Sequence, residues 1–259
     1  MMNLILKDLK KYKDFVLFHV HVNIKLKVSN TILGYLWWLI DPFMQMLVYT
    51  FIVVFIFDRG GKDYPLFVFC GLLSWKWLSS TVTYSAGSIK ANANILNQVY
   101  LPKFIFPLQE CISNLYKFCF GLFVMVIMMA FFRVSPSIHN LEIILVIAVN
   151  FLFIYGLSLH LTHYGVFIAD IKNILSHALR IWWYISPGIY SLTAIPEKYR
   201  GIFWLNPNTV FFESYRNVLL YHRSPYYSQL LIWFVISLIM TYFGLKKLYR
   251  HDRHYSKMI

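Results

Sequence analysis

The stretch LEIILVIAVNFLFIYGLSLHLTHYGVFIA, residues 141–169, decides the fold class. It runs for 29 residues with Glu142 as its single formal charge. About 20 mostly apolar residues suffice to cross a hydrocarbon core of about 30 Å, so Leu141–Ala169 reads as a membrane span. Working outward, five more stretches have the same character: Gly34–Phe57, Pro65–Gly87, Phe104–Phe132, Ile174–Leu192 and Gln229–Leu248. The whole composition agrees, with 59% apolar or aromatic residues and only 14% charged. A soluble domain of 259 residues exposes far more charge. The expectation is an all-α integral membrane protein forming one domain. Residues 1–33 make a cytoplasmic interfacial segment, 34–192 hold spans one to five, 193–228 form an external re-entrant region, and 229–259 hold span six and a cytoplasmic tail.

Orientation follows from Lys and Arg, which are retained on the cytoplasmic side. With the N-terminus inside, fifteen of them fall in cytoplasmic segments and seven in outer ones, and Asp58, Asp63, Glu142, Glu197 and Glu213 offset most of the seven. Both termini are therefore expected inside. This asymmetry and anionic headgroups account for the net charge of +13 without nucleic acid. The six lysines before Asn30 are followed by no cleavable apolar core, so no signal peptide is expected. Leu6, Leu9, Val16 and Leu17 recur at helical spacing among charges, whereas His19 to Val28 alternates like a strand. A lone strand beside a membrane has no partner, so a helix in the membrane surface is the favoured reading. Thr193–Ser228 is broken by Pro196, Pro207 and Pro225 and is rich in Trp204, Phe211, Phe212 and Tyr215. Short helices dipping into the outer leaflet, with their backbone packed on protein, reconcile these features. Cys70, Cys111 and Cys119 lie in apolar stretches and read as small hydrophobes rather than a disulfide framework.

Enzyme chemistry has little to stand on. His160 and His163 share a helical face, with His177 beyond, but no third ligand stands at a telling distance, so no metal is expected. No nucleophile motif and no phosphate-binding glycine loop is present, so the chain itself hydrolyses no nucleotide and binds no cofactor. Charges inside spans cost a few kcal/mol unless paired or wetted. Asp41, Lys76, Glu110 and Lys117 are such charges, and either fix packing by interhelical pairing or line a hydrophilic route. Aromatic residues, 19% of the chain, concentrate in two spans: Tyr35, Trp37, Trp38 and Tyr49 in the first, Trp182, Trp183, Tyr184 and Tyr190 in the fifth. Aromatic faces stack on sugar rings, so these eight are candidates for a carbohydrate pathway. Pro187 and Gly188 make a hinge for an outer gate in span five, with Asp170 at its inner end and Glu213 and Arg216 close by in sequence as further gate or polar-lining candidates.

Several of these residues fall in a familiar order. Leu33-Gly34-Tyr35-Leu36-Trp37, Pro42 and Tyr49 resemble the first-span signature of ABC-2 permeases that export polysaccharides or polyol phosphates, the exporters of O-antigen, capsule and wall teichoic acid. Ala169-Asp170-Ile171, Tyr184, Ser186-Pro187, Tyr190, Pro196, Asn206-Pro207, Tyr215-Arg216 and Leu219 resemble that family's fifth span and re-entrant region, with Ala169 and Ser186 where Arg and Thr are commoner. The resemblance implies a homodimer in the bacterial cytoplasmic membrane. It also implies pairing with two copies of a separate ATPase subunit that binds ATP and Mg, and transport of a polyprenyl-linked polymer along spans one and five. It makes Ser88–Lys103, with Asn92, Asn94, Asn97 and Gln98, the loop that couples to the ATPase. An exporter of a drug, lipid or peptide, or a multispan transferase, would be the alternatives. The aromatic spans favour sugar, and clustered acids or histidines for a transferase are missing.

Overall fold

A computed structural model describes residues 2–29 and 31–255. Met1, Asn30 and residues 256–259, with Lys257 of the charge count, lie outside the described residues. Helix α1 covers Met2–Ser29, so the strand-like alternation after His19 resolves as helix. A helix meets its backbone hydrogen bonds internally, which a lone strand cannot do. Helix α2 (Trp37–Thr50) contains Pro42 and passes into a wider π turn at Phe51–Ile56. Then come α3 (Tyr64–Ala86), two short helices α4 (Ser88–Ala91) and α5 (Ala93–Gln98), and α6 (Ile105–Phe131). Helices α7 (Ile143–Phe167) and α8 (Ile171–Ile185) follow. The chain ends with α9 (Glu197–Phe203), α10 (Pro207–Leu219), α11 (Tyr227–Arg250) and the single turn α12 (Asp252–Tyr255). No strand occurs among the described residues.

Among the described residues, five helical stretches are long and apolar enough to cross a membrane: Gly34–Ile56, Tyr64–Ala86, Ile105–Phe131, Ile138–Phe167 and Tyr227–Arg250. The expected fifth span, Ile174–Leu192, takes a different form. Helix α8 starts three residues earlier and stops at Ile185, because Pro187 lacks an N–H and disfavours helix at the residue before it. Fifteen residues of helix rise about 22 Å, short of the hydrocarbon thickness of about 30 Å. At one end of α3, Lys172 packs over Gly87; at the other, the Tyr64 hydroxyl donates to the Ile189 carbonyl at 2.7 Å. Helix α8 and its extension thus run the full length of α3.

Helix α3 is the hub, packed against α2, α6, α7, α8 and α10. It meets α7 so closely that a Cβ on Gly165 would lie 1.7 Å from the Ala86 carbonyl oxygen. Small residues permit such approach where helices associate by packing alone. The two helices of the Thr193–Ser228 region differ. Helix α9 is largely exposed, whereas every residue of α10 is buried. The sequence begins α10 in the usual way, with Asn206 as the capping acceptor for the Asn208 amide and Pro207 in the first turn. The loop Ser88–Lys103 is less helical than its composition suggests. It breaks at Asn92, whose side-chain amide donates to the Ser88 carbonyl, and leaves helix at Val99. Both terminal helical segments come to this loop: Tyr12 of α1 donates to the Tyr100 carbonyl at 3.5 Å and Asp252 pairs with Lys103, while Tyr249 of α11 joins the two by donating to Asp8 of α1 at 2.8 Å.

Candidate functional site

The break after α8 is the most elaborately bonded place in the molecule. Ending a helix leaves carbonyls without partners; here Ser186 and Tyr190 take those of Trp182, Tyr184 and Ile185, and one guanidinium gathers the two that follow in the extended stretch. Arg216 of α10 is fully buried. It donates to the Pro187 and Gly188 carbonyls at 2.7 and 2.8 Å, to the Phe67 carbonyl at 3.3 Å, and to Glu213 at 2.7 Å, while its plane lies 3.4 Å from the Phe67 ring centre. A Cβ on Gly71 would press on this guanidinium and on Gly188. Ser186 closes the other side, accepting from Asn206 at 2.9 Å, while Asn206 accepts from the Trp182 indole at 3.0 Å. Pro187 and Gly188 are therefore buried in a polar lock joining α8, α10 and α3. Arg216 and Glu213, both counted in an outer segment, are buried and face the core.

The aromatic candidates divide. Trp183 is 5% exposed; its indole donates to the Tyr49 hydroxyl at 3.0 Å and its ring packs 5.5 Å from Trp75. Trp182 is half-buried, edge-on to Trp75 at 6.0 Å. Tyr190 is half-buried and bonds back to the Tyr184 and Ile185 carbonyls. Tyr184, by contrast, is 56% exposed, as are roughly half of the Tyr35 and Trp37 side chains. Trp38 lies edge-on to Tyr35, with the Lys117 ammonium 5.5 Å from its ring centre.

Asp41 and Lys76 form an ion pair between α2 and α3 at 2.7 Å, so interhelical pairing and cleft lining turn out to be compatible. On one side of the pair is a cleft of about 330 Å³ against Trp37, Trp38, Asn114 and Lys117. On the other, a cleft of about 290 Å³ brings Gln45, Tyr49, Lys76, Arg180, Trp183 and Tyr184 together from α2, α3 and α8. Aromatic faces beside cations and amides can stack on sugar rings and hold their hydroxyls. Glu110 lies on α6 near His19 of α1 and is not among the residues lining these clefts, and Asp170 stands exposed at the start of α8 without a capping side-chain bond.

Of the loop residues, Asn94, Asn97 and Gln98 are exposed and Asn92 is turned inward to Ser88. His160 bonds the Met240 carbonyl, and His163 lies 2.6 Å from the Tyr255 hydroxyl with His251 at 5.0 Å between ring centres. Burial, with Asp252 nearby, holds the Tyr255 hydroxyl above the usual phenol range. Sequence reading named Ser186 and Asn206 only within the familiar motif, without their bonds to each other and to Trp182, and missed Phe67 and Gly71 beside Arg216. The available signal was Asn206-Pro207, a helix start placed just after a helix break.

No family model matches the chain. The O-antigen export system permease protein RfbA of Myxococcus xanthus is 26% identical over 240 residues, covering 92% of each chain. The protein of the same name from Klebsiella pneumoniae is 26% identical over 233 residues, 90% of each. The polysialic acid transport protein KpsM of Escherichia coli is 25% identical over 185 residues, 68% of this chain and 69% of its own. The resemblance to ABC-2 permeases that export polysaccharides is thus borne out by relatives aligned along nine-tenths of the chain.

Proposed function

We propose that this chain is the membrane permease of an ABC exporter, moving a polyprenyl-linked polysaccharide or related polymer across the bacterial cytoplasmic membrane. The observation that carries the reading is the near full-length similarity to O-antigen export permeases. Two copies are inferred to face each other across the exposed sides of α2 and α8, with the polymer passing between the Tyr184-lined clefts. Six crossings are inferred, counting α8 with its extension, and both termini are placed in the cytoplasm. The meeting of α1, α12 and the Ser88–Lys103 loop at one end supports an even number. Energy is supplied by two copies of a separate subunit that holds ATP and Mg, engaging the exposed Asn94, Asn97 and Gln98. Reconstitution with an ABC ATPase subunit from the same cell tests this reading. Vesicles should move lipid-linked polymer across the bilayer only when both subunits and hydrolysable ATP are present. Movement without the ATPase, or none with it, would refute the proposal.

A further inference from the structure

The corner where the Ser88–Lys103 loop returns to the membrane is held from outside the loop. After α5 the chain is extended at Val99 and turns through Pro102 into α6. At this corner the Lys103 side chain is 3% exposed, and its ammonium pairs with Asp252 at 3.3 Å. The same ammonium lies 5.2 Å from the Tyr100 ring centre. Tyr249 packs its ring 5.7 Å from Phe104 while its hydroxyl bonds Asp8, so α1 and α11 close over the corner together. Asp252 opens α12, and the last residue of that turn, Tyr255, is fully buried with its hydroxyl on His163 of α7. A buried ammonium is costly unless paired, and removing its partner leaves the charge uncompensated. The pair is therefore a directional tie between the C-terminal turn and the loop, anchored at its far end in α7.

We infer that Asp252–Tyr255 is a brace for the coupling segment, with Asp252 as a positioning residue acting through Lys103. The brace holds the Val99–Phe104 corner, and with it the exposed face of α5, in the place from which it transmits force. The inference rests on the reading of Ser88–Lys103 as the ATPase contact. It adds that the chain's own C-terminal turn sets how rigidly that contact is held.

Two readouts test it. In the permease alone, embedded in nanodiscs, Asp252→Asn should raise hydrogen exchange of the amides in 93–104 by about tenfold, the signature of local opening. In proteoliposomes with the ATPase, the same variant should still hydrolyse ATP but move several times less polymer per ATP. The double variant Lys103→Met with Asp252→Leu removes both charges and keeps an apolar contact, so it should stay close to wild type in both readouts. Unchanged exchange in Asp252→Asn would overturn the brace. Raised exchange with unchanged transport per ATP would overturn its role in coupling. Should Asp252→Asn not accumulate in the membrane, Tyr255→Phe, which loses only the contact to His163, should raise exchange in 93–104 by a smaller factor, and no rise would overturn the inference. Alanines at Asn94–Gln98 separate the two claims. If that variant binds and couples to the ATPase normally, the loop assignment and the coupling role fall together, whatever the exchange data show.

Discussion

Helix α10 carries Glu213, Arg216 and two asparagines, yet all of it is buried; within Gly34–Ile56 the most apolar 18-residue stretch, with a mean hydropathy of 2.0, is only 11% buried. In a soluble protein the order would be reversed. Within a membrane the surroundings are as apolar as Leu, so an apolar helix gains little by turning inward. A polar segment at that depth must instead find every partner inside the protein. Polarity here marks what the protein packs around, and hydropathy marks what it offers to lipid. Helix α8 lies between the extremes. Ile171, Leu175, Leu179 and Trp183 are buried on one face, while Lys172, Arg180, Ile181 and Tyr184 are exposed on the others.

The largest effect expected from this contrast is at Arg216. Arg216→Met would leave Glu213 and the Pro187 and Gly188 carbonyls buried without their donor, a cost of about 3–5 kcal/mol. The variant should be depleted from the membrane fraction, and any remainder should unfold at lower temperature. Normal abundance and thermal stability would show that the lock is not what holds α8, α10 and α3 together.

The next contrast lies within α8. Trp183→Ala empties a buried site that also serves Tyr49, and should cost about 3–5 kcal/mol. Tyr184→Ala, one residue on and exposed, should change stability by no more than about 0.5 kcal/mol while lowering export per folded molecule. Equal losses of abundance in the two variants would erase the distinction between packing face and pathway face. Asp41→Asn should likewise change stability little. Its carboxyl is 58% exposed in the cleft, so losing the Lys76 pair should cost about 1 kcal/mol or less. Export measured per molecule would reveal whether the charge matters to the route.

Much of this was legible in the sequence. Hydropathy located the five long helices to within a few residues, since each needs only length and an apolar composition. The bend at Pro187 was visible because proline acts locally, whereas Asn206–Pro207 read as a chain break and part of a familiar motif and not as the helix start it is. Two things were hidden for a physical reason. Arg216 lies 28 or more residues from the carbonyls it holds, and Lys103 is 149 residues from Asp252, so no local pattern links them. The aromatic spans were found as a group, but a helical face is decided by neighbours, which is why Trp183 and Tyr184 part company only in three dimensions. The span reading of Ile174–Leu192 ran past its helix because the residues after Pro187 stay apolar while the backbone is extended.

Depleting the chain from the cell and locating the polymer tests the central claim most directly. The account predicts that lipid-linked polymer accumulates inside the cytoplasmic membrane, reached by a polymer-specific probe only after the cells are opened, and that surface display returns with the wild-type chain. Undiminished surface polymer, with none accumulating inside, would contradict it.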